Sequence, residues 1–210
     1  MRRRRIGWIA GASAAVLVAS GAITYAVAED SGDPGTKTPG AQSADSGFAR
    51  DMAVHHQQAV EMSYIVRDRT DNEDVRRLAY DIAQTQANQR GMLLGWLDLW
   101  ELPKVSAEPP MTWMGMGDMP ERGDGSLMPG MATDTELKKL QSLNGKRAEI
   151  LYLQLMTDHH KGGIHMAEGC VAKCTVGVEK QLAQGMVDAQ QSELQVMAQM
   201  LKERGAEPRS

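Results

Sequence analysis

One short pattern occurs twice in this chain, 104 residues apart. Met52-Ala53-Val54-His55-His56 returns as Met156-Thr157-Asp158-His159-His160, and Met62 returns as Met166. The same offset carries Leu78 onto Leu182, Ala79 onto Ala183, Gln86 onto Gln190 and Leu97 onto Leu201. These identities share one ungapped register and mark a duplicated unit of about residues 48–97 and 152–201. Two copies of one unit fold alike and join about a pseudo-twofold axis, so the chemistry belongs where they meet. Four of the five histidines lie in the repeated His-His pairs, and the fifth, His165, lies just beside the second pair.

Each copy carries two helical stretches. Apolar and ligand-type residues recur at helical spacing over residues 48–66. Asp71 or Asn72 caps a second helix that runs to about Trp100, with Pro103 just beyond. A third long helix covers about residues 146–174, and a fourth runs from near Val178 to the terminator Gly205. One Phe and four Tyr against 15 Met leave Leu, Val, Ala and Met to fill the core, a composition that favours helices. Residues 102–133 are rich in Pro, Gly and Met and form a long excursion, followed by a short helix over about residues 134–143. The expectation is an all-α four-helix bundle of two duplicated hairpins, joined by a Met-rich crossover at about 102–145.

The N-terminus carries an export signal. Four arginines at positions 2–5 precede a weakly apolar run to residue 28, where Ala26-Val27-Ala28 offers a small-x-small cleavage site. Residues 1–28 are therefore a signal peptide or a membrane-anchor helix, and either places the remainder outside the cytoplasm. Residues 29–46 are a flexible linker of Gly, Pro, Ser and Asp, and residues 47–205 form the duplicated domain. The formal net charge is −4, and without the four N-terminal arginines the body carries −8. That balance excludes nucleic acid as a partner and attracts cations.

On a helix at about 100° per residue, with Met52 at zero, His55 falls at about 300°, His56 at about 40° and Met62 at about 280°. Met156, His159, His160 and Met166 repeat these angles, and Cys170 and Cys174 extend the stripe. Met52 with His55 or His56 is a chelating pair, since side chains three and four apart share a face. Adjacent histidines diverge by about 100°, so the natural design takes one imidazole from each copy, with thioethers completing the site. His165 points away from the stripe. Imidazole suits several transition metals, whereas thioether selects cuprous copper or silver. A di-iron bundle needs Glu-x-x-His, which occurs nowhere in this chain. Against this stands the plain alternative that Met fills the core and the histidines form a polar layer. Repetition of His-His at one register favours the metal.

Other features leave alternatives open. Met111, Met114, Met116, Met119, Met128 and Met131 either pass soft ions to the bundle or pack with Trp113 as an apolar lid. Cys170 and Cys174 form a disulfide, a thiolate site or buried apolar filler; their counterparts in the first copy are Val66 and Thr70. Gly162-Gly163 inside a helix marks a close approach beside the site, a kink, or plain tolerance of glycine there.

The pattern Met52-x-x-His55-His56-x-x-Ala59-x-x-Met62, its second copy LMTDHHKGGIHMAE and the PGMAT segment at 129–133 resemble the bacterial family known as domain of unknown function 305, over about residues 47–201. The resemblance implies a ferritin-like four-helix bundle that is exported and, in some members, associated with copper binding or resistance. Met52, His55, His56, Met62, Met156, His159, His160 and Met166 match its motif one by one; His165 and the cysteines lie outside it. The expected function is extracytoplasmic copper binding, mainly cuprous, for storage, buffering, delivery or resistance, with another transition metal as the variant. The partners are then the metal ion and, through an uncleaved N-terminus, the membrane. No nucleophile-base constellation indicates catalysis. Two other readings are a redox-active metalloenzyme of ferritin-like type and a structural or partner-binding envelope domain without metal.

Overall fold

The computed structural model of this protein describes residues 38–118 and 123–209. Among these residues there are five α-helices, one short 3-10 turn at Thr112–Met114 and no strand. The helices are α1 (Ala44–Arg67), α2 (Glu73–Leu99), α3 (Asp134–Ser142), α4 (Gly145–Lys173) and α5 (Gly177–Glu203). Residues 1–28, read above as a signal peptide or membrane anchor, and Met119 lie outside the described residues. No described helix is long and apolar enough to cross a membrane.

Local chemistry sets the helix ends. Ser43 caps α1 by accepting from the Ser46 N–H, which starts that helix one turn ahead of Phe48. Asn72 caps α2 through the Val75 N–H. Thr133 and Glu136 form a reciprocal capping box at α3. Gly205, at φ 67°, takes the left-handed conformation that closes α5.

Helices α1 and α2 form one hairpin, α4 and α5 the other, and the two meet along antiparallel α1 and α4. Each hairpin fastens the turn of its partner. Asp45, in the first turn of α1, accepts from the Thr175 and Val176 N–H groups between α4 and α5. Glu149, its counterpart in α4 at the 104-residue offset, accepts from the Thr70 hydroxyl between α1 and α2 and from Arg204 at the end of α5. These two acids occupy equivalent positions in the duplicate.

The core divides into two apolar clusters. One holds Ala59, Met62 and Val66 of α1 with Leu153, Leu155 and Met156 of α4. The other holds Phe48, Ala49 and Met52 of α1 with Met166, Ala167 and Cys170 of α4. In both helices the histidine pair lies between the two sets. The crossover is packed onto this body as a lid. Met111 and Met128 are fully buried in the second cluster and Met131 nearly so, with Met114 and Met116 partly buried against it. Asp51 holds the strap by accepting from the Met111 N–H and the Trp113 indole N–H. Gln58 pairs in both directions with the backbone of Ala132.

Removing the acid of a buried ion pair leaves an uncompensated guanidinium. Glu149→Ala should lower the unfolding free energy by about 3 kcal/mol in a urea titration. Truncating the exposed Glu168 should change it by less than about 0.5 kcal/mol.

Candidate metal centre

The layer between the two clusters is polar and drawn from all four long helices. It consists of His55 and His56 on α1, Gln86 and Gln89 on α2, His159 and His160 on α4, and Gln190 and Glu193 on α5. Every member has its counterpart at the 104-residue offset. All four histidines have no solvent exposure, and Gln86 and Gln190 are buried.

One imidazole from each copy meets at the centre. The rings of His55 and His159 lie 3.7 Å apart between centroids, tilted by 33°. His56 and His160 flank them at 6.5 and 6.2 Å from their sequence neighbours, so adjacent histidines do diverge around the helix.

Hydrogen bonds set the orientation of three rings. His56 Nε2 donates to Gln89 Oε1 at 2.9 Å, and His160 Nε2 donates to Glu193 Oε2 at 2.6 Å. His159 Nε2 donates to the His55 carbonyl at 2.8 Å. An imidazole that gives its proton through Nε2 keeps a lone pair on Nδ1 when neutral. The Nδ1 atoms of all four histidines are buried without a hydrogen-bond partner. An outward bond to amide, carboxylate or carbonyl with the other nitrogen left free is how metal-ligating histidines are held. For His55, the Pro129 carbonyl favours a proton, but neither ring nitrogen makes a well-formed bond.

Burial keeps three of the rings, those of His55, His56 and His159, neutral. It pushes the His55 and His56 imidazoles down to about 3, with His160 adding repulsion at His55 and His55 at His56. His159 is also held well below the usual range, by burial first and then by the neighbouring imidazoles.

The thioethers named by the repeat sit on both sides of this layer. Met52 and Met166 belong to one apolar cluster, Met62 and Met156 to the other, and all four are fully buried. His165 is not brought in: it is exposed and lines a surface groove with Asp158, Lys161 and Arg209. Gly162 serves close approach, since a Cβ there would lie 2.0 Å from the Pro129 carbonyl oxygen. Cys170 and Cys174 are joined in a disulfide at the end of α4. Among the described residues, the trio of His, Cys, Asp or Glu ligand atoms gathered around one point is Cys170, Cys174 and Glu179. The histidine nitrogens are not gathered so tightly, so a cation there would take one or two imidazoles and draw its other donors from elsewhere.

Gln89 and Glu193 are invisible to the sequence reading because one is an amide and the other a carboxylate. The shared offset is the signal that could have found them. It places both three residues after the identical Gln86 and Gln190, one turn along the same faces.

Comparisons with known proteins agree with this architecture. The family model described as domain of unknown function (DUF305) matches residues 45–201. A crystal structure of a DUF305 protein from Streptomyces coelicolor, assigned as secreted, shares 71% identity over 81% of this chain and 99% of its own, with a TM-score of 0.76. A DUF305 fragment from Deinococcus radiodurans shares 27% identity over 79% of this chain and 99% of its own, with a TM-score of 0.64. CopM in its Cu(I)-bound form shares the fold at 18% identity, over 76% of this chain and 96% of its own, with a TM-score of 0.58. CopM is also solved in Cu(II)-bound and Ag-bound forms. No curated protein matches the chain in sequence.

Neutral buried histidines make stability depend on pH with a definite sign. Below the ordinary value of 6.5 the unfolded chain takes up protons that folded His55 and His56 refuse until about 3. Their contribution is complete above that ordinary value and is lost as pH falls through the window. Each imidazole then costs up to about 1.4 kcal/mol per pH unit. Urea midpoints of metal-free protein should fall between about pH 7 and 5, and His55→Asn with His56→Asn should flatten the slope there.

Proposed function

The chain belongs to the DUF305 family, and on that premise we propose that it is an extracytoplasmic copper-binding protein serving storage, buffering, delivery or resistance. The observation that carries this reading is the set of four buried, unpartnered Nδ1 atoms, three of them on rings whose Nε2 protons are given away. A buried polar atom left without a partner costs about 1–3 kcal/mol. Four in one layer are a standing expense unless they serve a bound cation. The residues that would hold it are one or two of His55, His56, His159 and His160, with further donors drawn from Met52, Met62, Met156 and Met166 above and below.

The donor chemistry favours the cuprous ion. Neutral imidazole and thioether suit a soft, monovalent cation, whose single charge is the least costly to bury. The binding of Cu(I), Cu(II) and Ag by CopM, a distant relative in fold, supports the same class. The export segment and the secreted assignment of the Streptomyces relative support a place outside the cytoplasm. What the protein supplies is orientation: Gln89 and Glu193 hold one ring of each copy with its lone pair free, and the apolar clusters exclude water.

The two half-sites are unequal, because Glu193 can carry a charge that Gln89 cannot. A carboxylate behind an imidazole raises its basicity as a ligand. In anaerobic competition against a chromophoric cuprous chelator, with the disulfide intact, replacing all four repeat histidines by Ala should weaken Cu(I) binding by at least about a hundredfold. Glu193→Gln should weaken it by about tenfold without loss of helix. Unchanged affinity in the quadruple variant would rule out this layer as the site.

A further inference from the structure

A second group of ligand-type side chains lies at the other end of the α4–α5 hairpin from its termini, beside the turn. Cys170 is in the last turn of α4, Cys174 is its C-cap residue and Glu179 is in the first turn of α5. All three are buried, and the two sulfurs and a Glu179 carboxylate oxygen lie within 4.8 Å of one another. Neither Glu179 oxygen makes a well-formed hydrogen bond, but the carboxyl faces Asp45, and burial together with that neighbouring carboxylate pushes it up to about 9, so that it is held as the neutral acid.

The duplication provides an internal control. The same three positions in the first copy are Val66, Thr70 and Val75, and both valines are fully buried in the apolar cluster. This fold therefore needs only small, mostly apolar filler there. The second copy instead buries a carboxyl group against two sulfurs, which packing does not reward. Capping does not explain it either, since Asp45 already accepts the Thr175 and Val176 N–H groups of that turn.

We propose that Cys170, Cys174 and Glu179 form a redox-gated second metal site, shut as the disulfide and opened by a dithiol reductant to admit a thiophilic divalent cation of the Zn(II) class. The reductant's two thiols become its own disulfide as the Cys170–Cys174 bond breaks, so two hydrogens pass to the protein sulfurs. The cation then displaces to solvent the protons held by the two thiols and the carboxyl. Two thiolates and a carboxylate bring three negative charges beside the Asp45 carboxylate, and a divalent ion cancels two of them where a cuprous ion cancels one. In a buried position that difference favours the divalent ion, and sulfur with carboxylate oxygen is an ordinary zinc donor set. The site therefore differs in chemistry from the imidazole and thioether layer.

The test compares the full chain as purified with the same chain reduced by dithiothreitol and freed of it anaerobically. Titrated against a chromophoric zinc chelator, the reduced chain should bind one Zn(II) more than the oxidised chain. Co(II) should give thiolate charge-transfer absorption in the reduced chain alone. Because the readout is the difference between redox states, it does not depend on the histidine layer, and either site can fail without the other. C170S/C174S should show neither the extra equivalent nor any response to reduction. Glu179→Val, the residue of the first copy, should keep the fold and weaken the extra Zn(II) by about tenfold or more. Equal zinc stoichiometry in both redox states, or an extra equivalent surviving in C170S/C174S, would overturn the proposal; so would unchanged affinity in Glu179→Val.

Discussion

The structure depends on a polar layer placed where a helical bundle would ordinarily be most apolar. Four imidazoles are cut off from water, and three donate outward to fixed oxygens, of Gln89, of Glu193 and of the His55 backbone. Those bonds decide which nitrogen of each ring carries the proton, and so which nitrogen is left with a lone pair. Burial supports the arrangement from the other side, because it makes a charged imidazole costly and keeps His55, His56 and His159 neutral. The apolar clusters above and below then act as walls, and their methionines are soft enough to take part.

Duplication gives this layer its shape, but the two copies are not used alike. At equivalent positions, Gln58 ties the crossover to α1 through Ala132, whereas Gly162 lets Pro129 and Gly130 lie directly on α4. Phe48 packs edge-on against Trp113 under the strap, while its counterpart Tyr152 shares a hydrogen bond with Ser63 in the core. The crossover lid thus rests on the side chains that differ between copies, and the central layer on those that agree or nearly agree. Where the copies diverge most in chemistry, at Cys170, Cys174 and Glu179 against Val66, Thr70 and Val75, the second copy has gained donors that the fold does not require.

Much of this was legible in the sequence, for physical reasons that hold locally. Helical spacing and side-chain caps lie within a few residues of what they specify, so the long helices and the terminator Gly205 follow from short windows. The 104-residue offset then supplied the long-range fact that single windows lack, bringing His55 opposite His159. Partners across helices were not legible. Gln89 and Glu193 look like ordinary half-exposed polar residues until α1 and α4 are packed against α2 and α5. Glu179 is a further case, since an acid in the first turn of a helix is favourable in solvent and gives no hint of burial. The six crossover methionines could have been mobile donors or packing; Met111, Met128 and Met131 pack, because Asp51 and Gln58 fasten the strap at both ends.

The account rests on which imidazole nitrogens are free, and nitrogen-15 spectroscopy of the histidine rings reads that directly. In metal-free protein near neutral pH, His56 and His159 should be neutral with the proton on Nε2. Adding Ag(I), as a spectroscopically silent stand-in for the cuprous ion, should shift Nδ1 signals of the layer and leave His165 unmoved. Rings protonated on Nδ1, or an Ag(I) response confined to His165, would contradict it.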